Sequence, residues 1–300
     1  MADIERRDAL TVTGAHNEAI MASCLVEVDE SSAVVRLTGV LDAAGAEQVR
    51  GALLTRLADR PGPVVADVTG LRFVGPAGRG VFADVRREVA DWPAADLLLC
   101  DPAAAGPAHP DSAAAGPAHP DSAAAGPAHP DSAAAGPAHP GSAAARPESV
   151  LDGVPAWPTL DGALAAVAAT PLAAVLTAEL APAVGAARQA RELVTTGCER
   201  WGMPTLADPA CIAITEMVNN VVAHAKTPMT VRLAPQETTL HLAVRDYSPR
   251  RPMFAGISPP TRAGGRGLLL IDTVTRRWGS SAIPDGKVVW CVLHPDDEAV

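Results

Sequence analysis

The sequence predicts an α/β protein with two domains, and three observations carry that prediction. Segments with the period-two alternation of β-strands are interspersed with segments of helical periodicity. This pattern runs once before residue 102 and starts again after residue 170. Four near-copies of a decapeptide, AAAGPAHPDS or AAAGPAHPGS, interrupt it. The length of 300 residues agrees, because it is enough for about two domains.

The first half alternates strands and helices along the chain. A strand pair at 24–30 and 33–39 turns at Ser31 and Ser32. The elements that follow are a helix at 43–58, a strand at 63–70, a helix at 77–90 and a strand at 95–101. After the repeats, PAWPTLDGALAAV predicts a short strand and helix that are too small to be a domain and must pack on something else.

The second half repeats the alternation. A helix at 209–225 has Asp208 as its expected N-cap and Pro209 at its first position. RGLLLIDTVTRRW predicts another helix, and SSAI-PDG-KVVWCVL predicts a closing hairpin. The remaining predicted elements are a strand at 174–180, a helix at 182–200 and strands at 229–234 and 239–245.

The repeats, at 103–148, are expected to form a disordered spacer. Each unit has one Gly, two Pro and no side chain larger than His, so it buries too little surface to offset its ordering entropy. Histidines recur every ten residues, at 109, 119, 129 and 139. Without neighbouring ligands or a fixed backbone, this spacing does not favour a metal site.

The charge, the cysteines and the apolar segments of the chain argue against several classes of function. A formal net charge of −10 argues against direct binding to nucleic acid or to an anionic membrane. The uncharged stretch at 162–178 is rich in alanine and broken by Pro171, so we do not expect it to span a membrane. The five cysteines are scattered, which is typical of reduced core cysteines. The N-terminus lacks a signal-peptide pattern, so we expect a soluble, cytoplasmic protein.

The predicted helix at 209–225 carries unusual polar residues. Glu216, Asn220 and His224 follow one another at intervals of four and so share roughly one helical face. A carboxylate and an amide oxygen on one face can orient a water and bind a hard cation such as Mg²⁺. Alternatively, these side chains cap neighbouring loops through buried hydrogen bonds.

Two further features lie downstream. Asp246 ends an apolar strand, where a carboxylate could accept a hydrogen bond from an adenine amino group. Gly264, Gly265 and Gly267 stand at the start of a helix, where bare backbone N–H groups and the helix dipole favour phosphate. A cluster of glycines alone is also compatible with a simple loop-to-helix cap.

In this order, TEMVNNVVAHA, RDYSP and GGRGL resemble the motifs of the GHKL (Bergerat-type) ATP-binding domain, specifically that of anti-sigma-factor serine kinases. The resemblance covers about 172–293 and implies ATP and Mg²⁺ as cofactors. It implies Glu216 as general base and Asn220 rather than Asn219 as Mg²⁺ ligand. It also implies Asp246 at the adenine, and Gly264, Gly265, Arg266 and Gly267 at the phosphates. Where many members have glycine, this chain has Ser248 followed by Pro249, which leaves turnover less secure than binding.

The segments VVRLTGVLDAAGAEQVRGAL and PVVADVTGLRFVGPAGRGVF resemble a STAS domain, the fold of anti-sigma-factor antagonists. PAWPTLDGALAAV resembles the closing strand and helix of that fold, so the repeats look like an insertion within it. Long loop insertions cost little closure entropy. The predicted organisation is a tail at 1–21, a STAS-like domain at 22–169 with the insertion at 103–148, and the GHKL-type domain at 170–295.

The STAS-like domain lacks the phosphoacceptor of its relatives. Antagonists of this family usually present Asp-Ser-Ser-Gly at the start of the helix after the third strand, whereas this chain has Gly75, Pro76, Ala77 and Gly78. Ala77 has no hydroxyl, so phosphoryl transfer to this position is chemically impossible. One hypothesis makes the domain an internal mimic of an antagonist, docked on the kinase domain and permanently unphosphorylated.

These resemblances predict a cytoplasmic regulator of transcription that works by partner switching. Its partners would be a sigma factor, a separate STAS-domain antagonist, or both. Whether it is an enzyme stays open: it is either an ATP-dependent serine/threonine kinase acting on a STAS-domain protein, or a non-catalytic module that sequesters its partner. A sensor histidine kinase would need a phosphoacceptor helix pair, and the sequence contains none. Related kinases commonly dimerise, so a homodimer is an alternative to a monomer.

Overall fold

The computed structural model describes residues 23–104, 149–151, 153–171, 174–249 and 266–297. The predicted N-terminal tail and almost all of the predicted disordered spacer lie outside these residues. The described chain forms two mixed α/β units, which confirms the predicted fold class. We call residues 23–171 the N-terminal unit and residues 174–297 the C-terminal unit.

The N-terminal unit is built on a six-stranded sheet with the strand order β1-β2-β3-β4-β6-β5. Strands β2, β3, β4 and β6 are parallel, and β1 and β5 pair antiparallel at the two edges. The elements are β1 (Leu25–Val28), β2 (Val34–Leu41), α1 (Ala43–Asp59), β3 (Gly62–Phe73), α2 (Gly75–Val89), β4 (Ala95–Cys100), β5 (Ser149–Leu151), β6 (Val154–Trp157) and α3 (Leu160–Ala169).

Alternation along β3 gives this sheet two buried faces. Val64 and Ala66 belong to the core that includes side chains of α1 and α2, whereas Val65 belongs to a smaller core with Ala163 of α3. Because β6 pairs with β4, the segments on both sides of the repeats join one sheet. The short strand and helix after the repeats therefore pack on the N-terminal unit, as their size requires. Strand β5 was not predicted.

The C-terminal unit is a five-stranded antiparallel sheet with the order β10-β11-β9-β8-β7. Helices cover one face of it, where Met217, Ile214 and Ile271 pack against β8, β9 and β11. The elements are β7 (Leu176–Leu180), α4 (Ala186–Trp201), α5 (Ala207–Asn220), β8 (Met229–Gln236), β9 (Thr239–Asp246), α6 (Arg266–Val274), β10 (Arg277–Ile283) and β11 (Gly286–Leu293).

The predicted start of α5 and the predicted end of α6 are wrong, and α4 begins at Ala186 rather than at 182. Asp208 lies in the first turn of α5 rather than at its N-cap, because a 3₁₀ turn at Pro204–Leu206 leads directly into the helix. Helix α6 ends at Val274, so the predicted helical RRW does not belong to it. The reason is pairing: the Arg276 amide donates to the Val292 carbonyl at 2.9 Å, and the chain continues as β10 beside β11.

The second face of the C-terminal sheet packs against the N-terminal unit. Ala243, Ile283 and Val288 join the core of the N-terminal unit. Arg232, 5% exposed, donates to the carbonyls of Leu57 and Ala58 at 3.2 and 3.0 Å. These carbonyls belong to the last turn of α1, where the helix dipole favours a cation. Burial lowers the pKa of Arg232 to about 10, so the guanidinium stays charged near neutral pH.

A second polar contact lies at the other end of the same face. Arg277 binds both carboxylate oxygens of Asp91 through Nε at 3.0 Å, and its terminal nitrogen reaches Asp91 Oδ1 at 2.6 Å. His241, which is buried, contacts the Asp91 carbonyl through Nδ1 at 3.0 Å. Since a carbonyl only accepts, Nδ1 carries the proton. Together these contacts join the two units through charged and apolar groups.

The interface contact of His241 predicts a pH-dependent stability. Burial lowers the pKa of His241 below its ordinary value of 6.5. Below that pH the unfolded chain takes up a proton that the folded chain does not, so the free energy of unfolding falls as the pH falls. We expect His241→Asn to reduce the loss of stability between pH 7.5 and 5.5, measured by urea unfolding at each pH. Equal slopes for wild type and His241→Asn would contradict the assignment.

Candidate functional site

Helix α5 places Glu216 and Asn220 one turn apart at the margin of its buried face. Met217 and Val218 point into the core, and the Met217 sulfur lies 3.8 Å from the Cys291 sulfur. Glu216 and Asn220 are half-buried, and neither side chain makes a hydrogen bond or ion pair with the described residues. Within this part of the chain, nothing supports the alternative that they cap neighbouring loops. Their oxygens are therefore available to a water, an ion or a ligand.

The chain after Asn220 departs from the predicted straight helix. Val221–Ala225 forms a π-helical turn, in which the Lys226 amide donates to the Val221 carbonyl at 2.7 Å. Lys226 ends the turn in the left-handed region with φ of 57°. His224 lies within the wider turn and is exposed, so it does not continue the α-helical face of Glu216 and Asn220. The predicted alignment of three residues therefore holds for two of them.

Asp246 ends β9 as predicted, and its carboxylate is 1% exposed. Lys287 of β11 stands directly opposite in the antiparallel register and is 8% exposed. Its Nζ lies 2.8 Å from both carboxylate oxygens of Asp246. The Ser248 amide also donates to Asp246 Oδ1, at 2.8 Å. These three contacts leave the carboxylate room for about one more donor, on Oδ2.

Gly286 allows the strands to approach closely at this point. A Cβ at Gly286 would lie 2.0 Å from the Asp246 carbonyl oxygen and 2.8 Å from the Tyr247 Cα. Any side chain here would separate β11 from the end of β9. The glycine is thus a structural requirement of the Asp246–Lys287 pair.

The two parts of the site lie at the same end of the C-terminal unit. The π-helical turn leads through Thr227 to Met229, which pairs with Asp246 across β8 and β9. The Tyr247 amide donates to the Thr227 hydroxyl at 3.2 Å. The end of α5, with Asn220, is therefore joined by a short segment to the strand end that carries Asp246.

The predicted phosphate-binding residues are described only in part. Gly264 and Gly265 lie outside the described residues. Arg266 and Gly267 form the first turn of α6, whose backbone N–H groups have no partner within the helix. Helix α6 packs against the sheet through Ile271, which is fully buried. Its first turn offers the donors that an anion would need.

Lys287 was missed in the sequence, although a signal was present. It is the single charged residue in the apolar strand GKVVWCVL, where a buried lysine requires an anionic partner. The partner depends on strand register, which the sequence does not reveal. Among the described residues no group of three or more His, Cys, Asp and Glu side chains forms a metal cluster. The five cysteines are all free.

The buried pair predicts a large effect of Lys287→Met on stability. This change leaves the Asp246 carboxylate buried without its counter-charge, and the loss of one partner from such a pair typically costs about 3–5 kcal/mol. We expect the free energy of unfolding to fall by about that amount in urea titrations. The double variant with Asp246→Asn removes both charges and should recover most of the loss. A double variant as unstable as Lys287→Met would show that the lysine acts through packing alone.

Comparison with known proteins finds two domain families, each of which matches less than half of the chain. Residues 177–293 match the histidine kinase-like ATPase domain, and residues 24–92 match the Mlab, STAS domain. Among solved structures, the crystal structure of the RsbU and RsbW domains of Rv1364c from Mycobacterium tuberculosis matches at 19% identity with a TM-score of 0.32. That match covers 42% of this chain and 32% of the other. A search of curated proteins finds no match. None of the described helices is both long and apolar enough for a membrane span.

Proposed function

This chain joins a STAS domain to a histidine kinase-like ATPase domain, and we propose that it is a cytoplasmic regulator of transcription that works by partner switching. In this proposal the C-terminal unit binds Mg-ATP and acts on a sigma factor, a separate STAS-domain protein, or both. The observation that carries the proposal is the half-buried pair Glu216 and Asn220, without partners among the described residues, beside the strand end of Asp246. The proposed domain division is a STAS-like domain at 22–169 and an ATPase domain at 170–295.

The residues of the site fit a nucleotide in chemical terms. Asn220 offers a neutral amide oxygen of the kind that Mg²⁺ accepts beside phosphate oxygens and water. Asp246 keeps one acceptor position for a donor such as the amino group of adenine. The first turn of α6, with Arg266 and Gly267, supplies backbone donors for phosphate. When bound, Mg-ATP supplies the phosphoryl group and the charge of the metal.

Glu216 would act on the acceptor in a catalytic version of this site. Its carboxylate makes no ion pair with the described residues, so it is free to accept the proton of a serine hydroxyl from a partner. Asn220, one turn further along α5, would hold the ion that neutralises charge developing on the phosphate. Most of the rate enhancement in phosphoryl transfer comes from such positioning and electrostatics.

In this proposal the acceptor comes from another protein. The segment Gly75–Gly78 at the start of α2 contains no hydroxyl group. It also lies at the opposite end of α2 from Asp91, which contacts the C-terminal unit. An internal mimic that offers this segment to the ATPase site does not fit this arrangement. We therefore assign the N-terminal unit a supporting role instead of an acceptor role.

A non-catalytic module is the second candidate. Ser248 and Pro249 after Asp246, and the lack of a hydroxyl group in the segment Gly75–Gly78, are compatible with a module that sequesters its partner without catalysis. Transfer of phosphate from ATP to a serine of a separate STAS-domain protein, lost in Glu216→Gln, would establish the kinase. Absence of transfer by a chain that binds Mg-ATP would favour the sequestering module.

Asn220→Ala tests the proposed nucleotide site. We expect wild-type chain to bind ATP more tightly with Mg²⁺ than without it, and Asn220→Ala to lose that difference because the amide ligand is gone. The measurement is a calorimetric titration of ATP into the full chain. Asn219→Ala is the matched control: this neighbouring amide is exposed and lies about 100° around the helix. Mg²⁺-dependent binding that survives Asn220→Ala would remove the ion assignment.

A further inference from the structure

Arg245 and Asp246 are consecutive residues of β9 that face opposite sides of the sheet. Asp246 turns to the helical side and pairs with Lys287. Arg245 turns to the N-terminal unit, where it is 4% exposed. The strand end thus connects the candidate nucleotide site to the interface between the two units without any intervening residue.

Arg245 is held by three groups. It forms ion pairs with Asp59 of the N-terminal unit and with Asp285, which lies 2.6 Å away. Its guanidinium carbon also lies 4.6 Å from the centre of the Tyr247 ring, within the range of a cation–π contact. A guanidinium stays protonated, so it cannot adapt to the loss of a partner by losing its charge.

The strand register places this cluster beside both members of the Asp246–Lys287 pair. Arg245 pairs with Val288, and Asp246 pairs with Lys287 one position further on. Asp285 precedes Lys287 by two residues in the tight turn of the hairpin. The ion pair between Arg245 and Asp285 therefore joins the end of β9 to the turn that precedes β11. The ion pair between Arg245 and Asp59 joins this part of the sheet to the end of α1.

We propose that Arg245 is a positioning residue for recognition of the base, and that Asp59 of the N-terminal unit is its anchor. The proposal rests on nucleotide binding by the C-terminal unit and names a role for the STAS domain in it. Loss of the Asp59 charge leaves Arg245 with Asp285 as its only ion-pair partner, beside the Tyr247 ring. The guanidinium then shifts toward Asp285 in the hairpin turn. This shift changes the orientation of the neighbouring Asp246 carboxylate and of its free acceptor position on Oδ2.

Asp91 provides a matched control at the same interface. Its ion pair with Arg277 also joins the two units. Arg277 stands opposite Val292, which pairs with His241, four residues along β9 from Arg245. At about 3.4 Å per residue, this places the Asp91 contact roughly 14 Å along the strand from Arg245. Both aspartates are partly exposed, and after either substitution the arginine stays compensated, because the buried Arg245 keeps its ion pair with Asp285 and Arg277 is itself 49% exposed.

The test compares Asp59→Asn and Asp91→Asn in the full chain, with ATP and inosine triphosphate as ligands. Inosine triphosphate carries an oxygen where adenine has its amino group, so it cannot donate to Asp246 from that position. We expect Asp59→Asn to weaken ATP binding about fivefold, within the usual range of coupling between sites, and to change binding of inosine triphosphate less than twofold. Asp91→Asn should change either affinity less than twofold. Urea unfolding of both variants confirms that they are folded.

Three results would overturn the proposal while leaving nucleotide binding in place. ATP affinity could be unchanged in Asp59→Asn, or equally weakened in both variants, or weakened together with that of inosine triphosphate. The first result would show that Asp59 is not coupled to ATP binding. The second would show that any loss of contact between the two units weakens binding. The third would show that the effect does not act through the contact between Asp246 and the adenine amino group. A wild-type chain that binds no ATP would overturn the proposed function, and this inference with it.

Discussion

The burial of two arginines between the sheets is the contact on which the rest of the structure depends. Arg232 and Arg245 project from the second face of the C-terminal sheet into the end of helix α1. Burial of a guanidinium destabilises the folded state unless its charge is paired and hydrogen-bonded. The carbonyls of Leu57 and Ala58 accept from the terminal nitrogens of Arg232, and Asp59 and Asp285 pair with those of Arg245, whereas the Nε of each arginine is buried without a hydrogen-bond partner. The N-terminal unit is thus the second covering layer of the C-terminal sheet.

This arrangement gives the N-terminal unit a structural role in the C-terminal unit. Helices alone cover one face of the ATPase sheet, and without the N-terminal unit the other face would expose Val288, Ala243 and the two arginines. Ala77, at the start of α2, has no hydroxyl group. The role of the N-terminal unit in this structure is to cover the C-terminal sheet, because the end of α1 and the residues just after α2 contact that sheet. The start of α2 stays on the far side.

The sequence predicted the parts of the fold that follow from local pattern. Alternation identified most of the strands and the closing hairpin, and the apolar strand ending in Asp246 predicted one half of the candidate site. The π-helical turn after Asn220 was not predictable, because its residues also suit an ordinary helix. Lys287 was missed because its partner depends on strand register. Arg232 and Arg245 alternate with apolar residues, as side chains that face solvent do. The local sequence does not show whether the polar face of a strand contacts water or another domain.

Calorimetric unfolding of the full chain, with and without Mg-ATP, tests most directly whether the two units act as one body around a nucleotide site. A ligand that binds only the folded chain raises its stability by about 2.7 kcal/mol at a hundred times the dissociation constant. We expect a single cooperative transition that moves to higher temperature as a whole when Mg-ATP is added. Two separate transitions, of which Mg-ATP moves one or neither, would contradict a shared core and a coupled site.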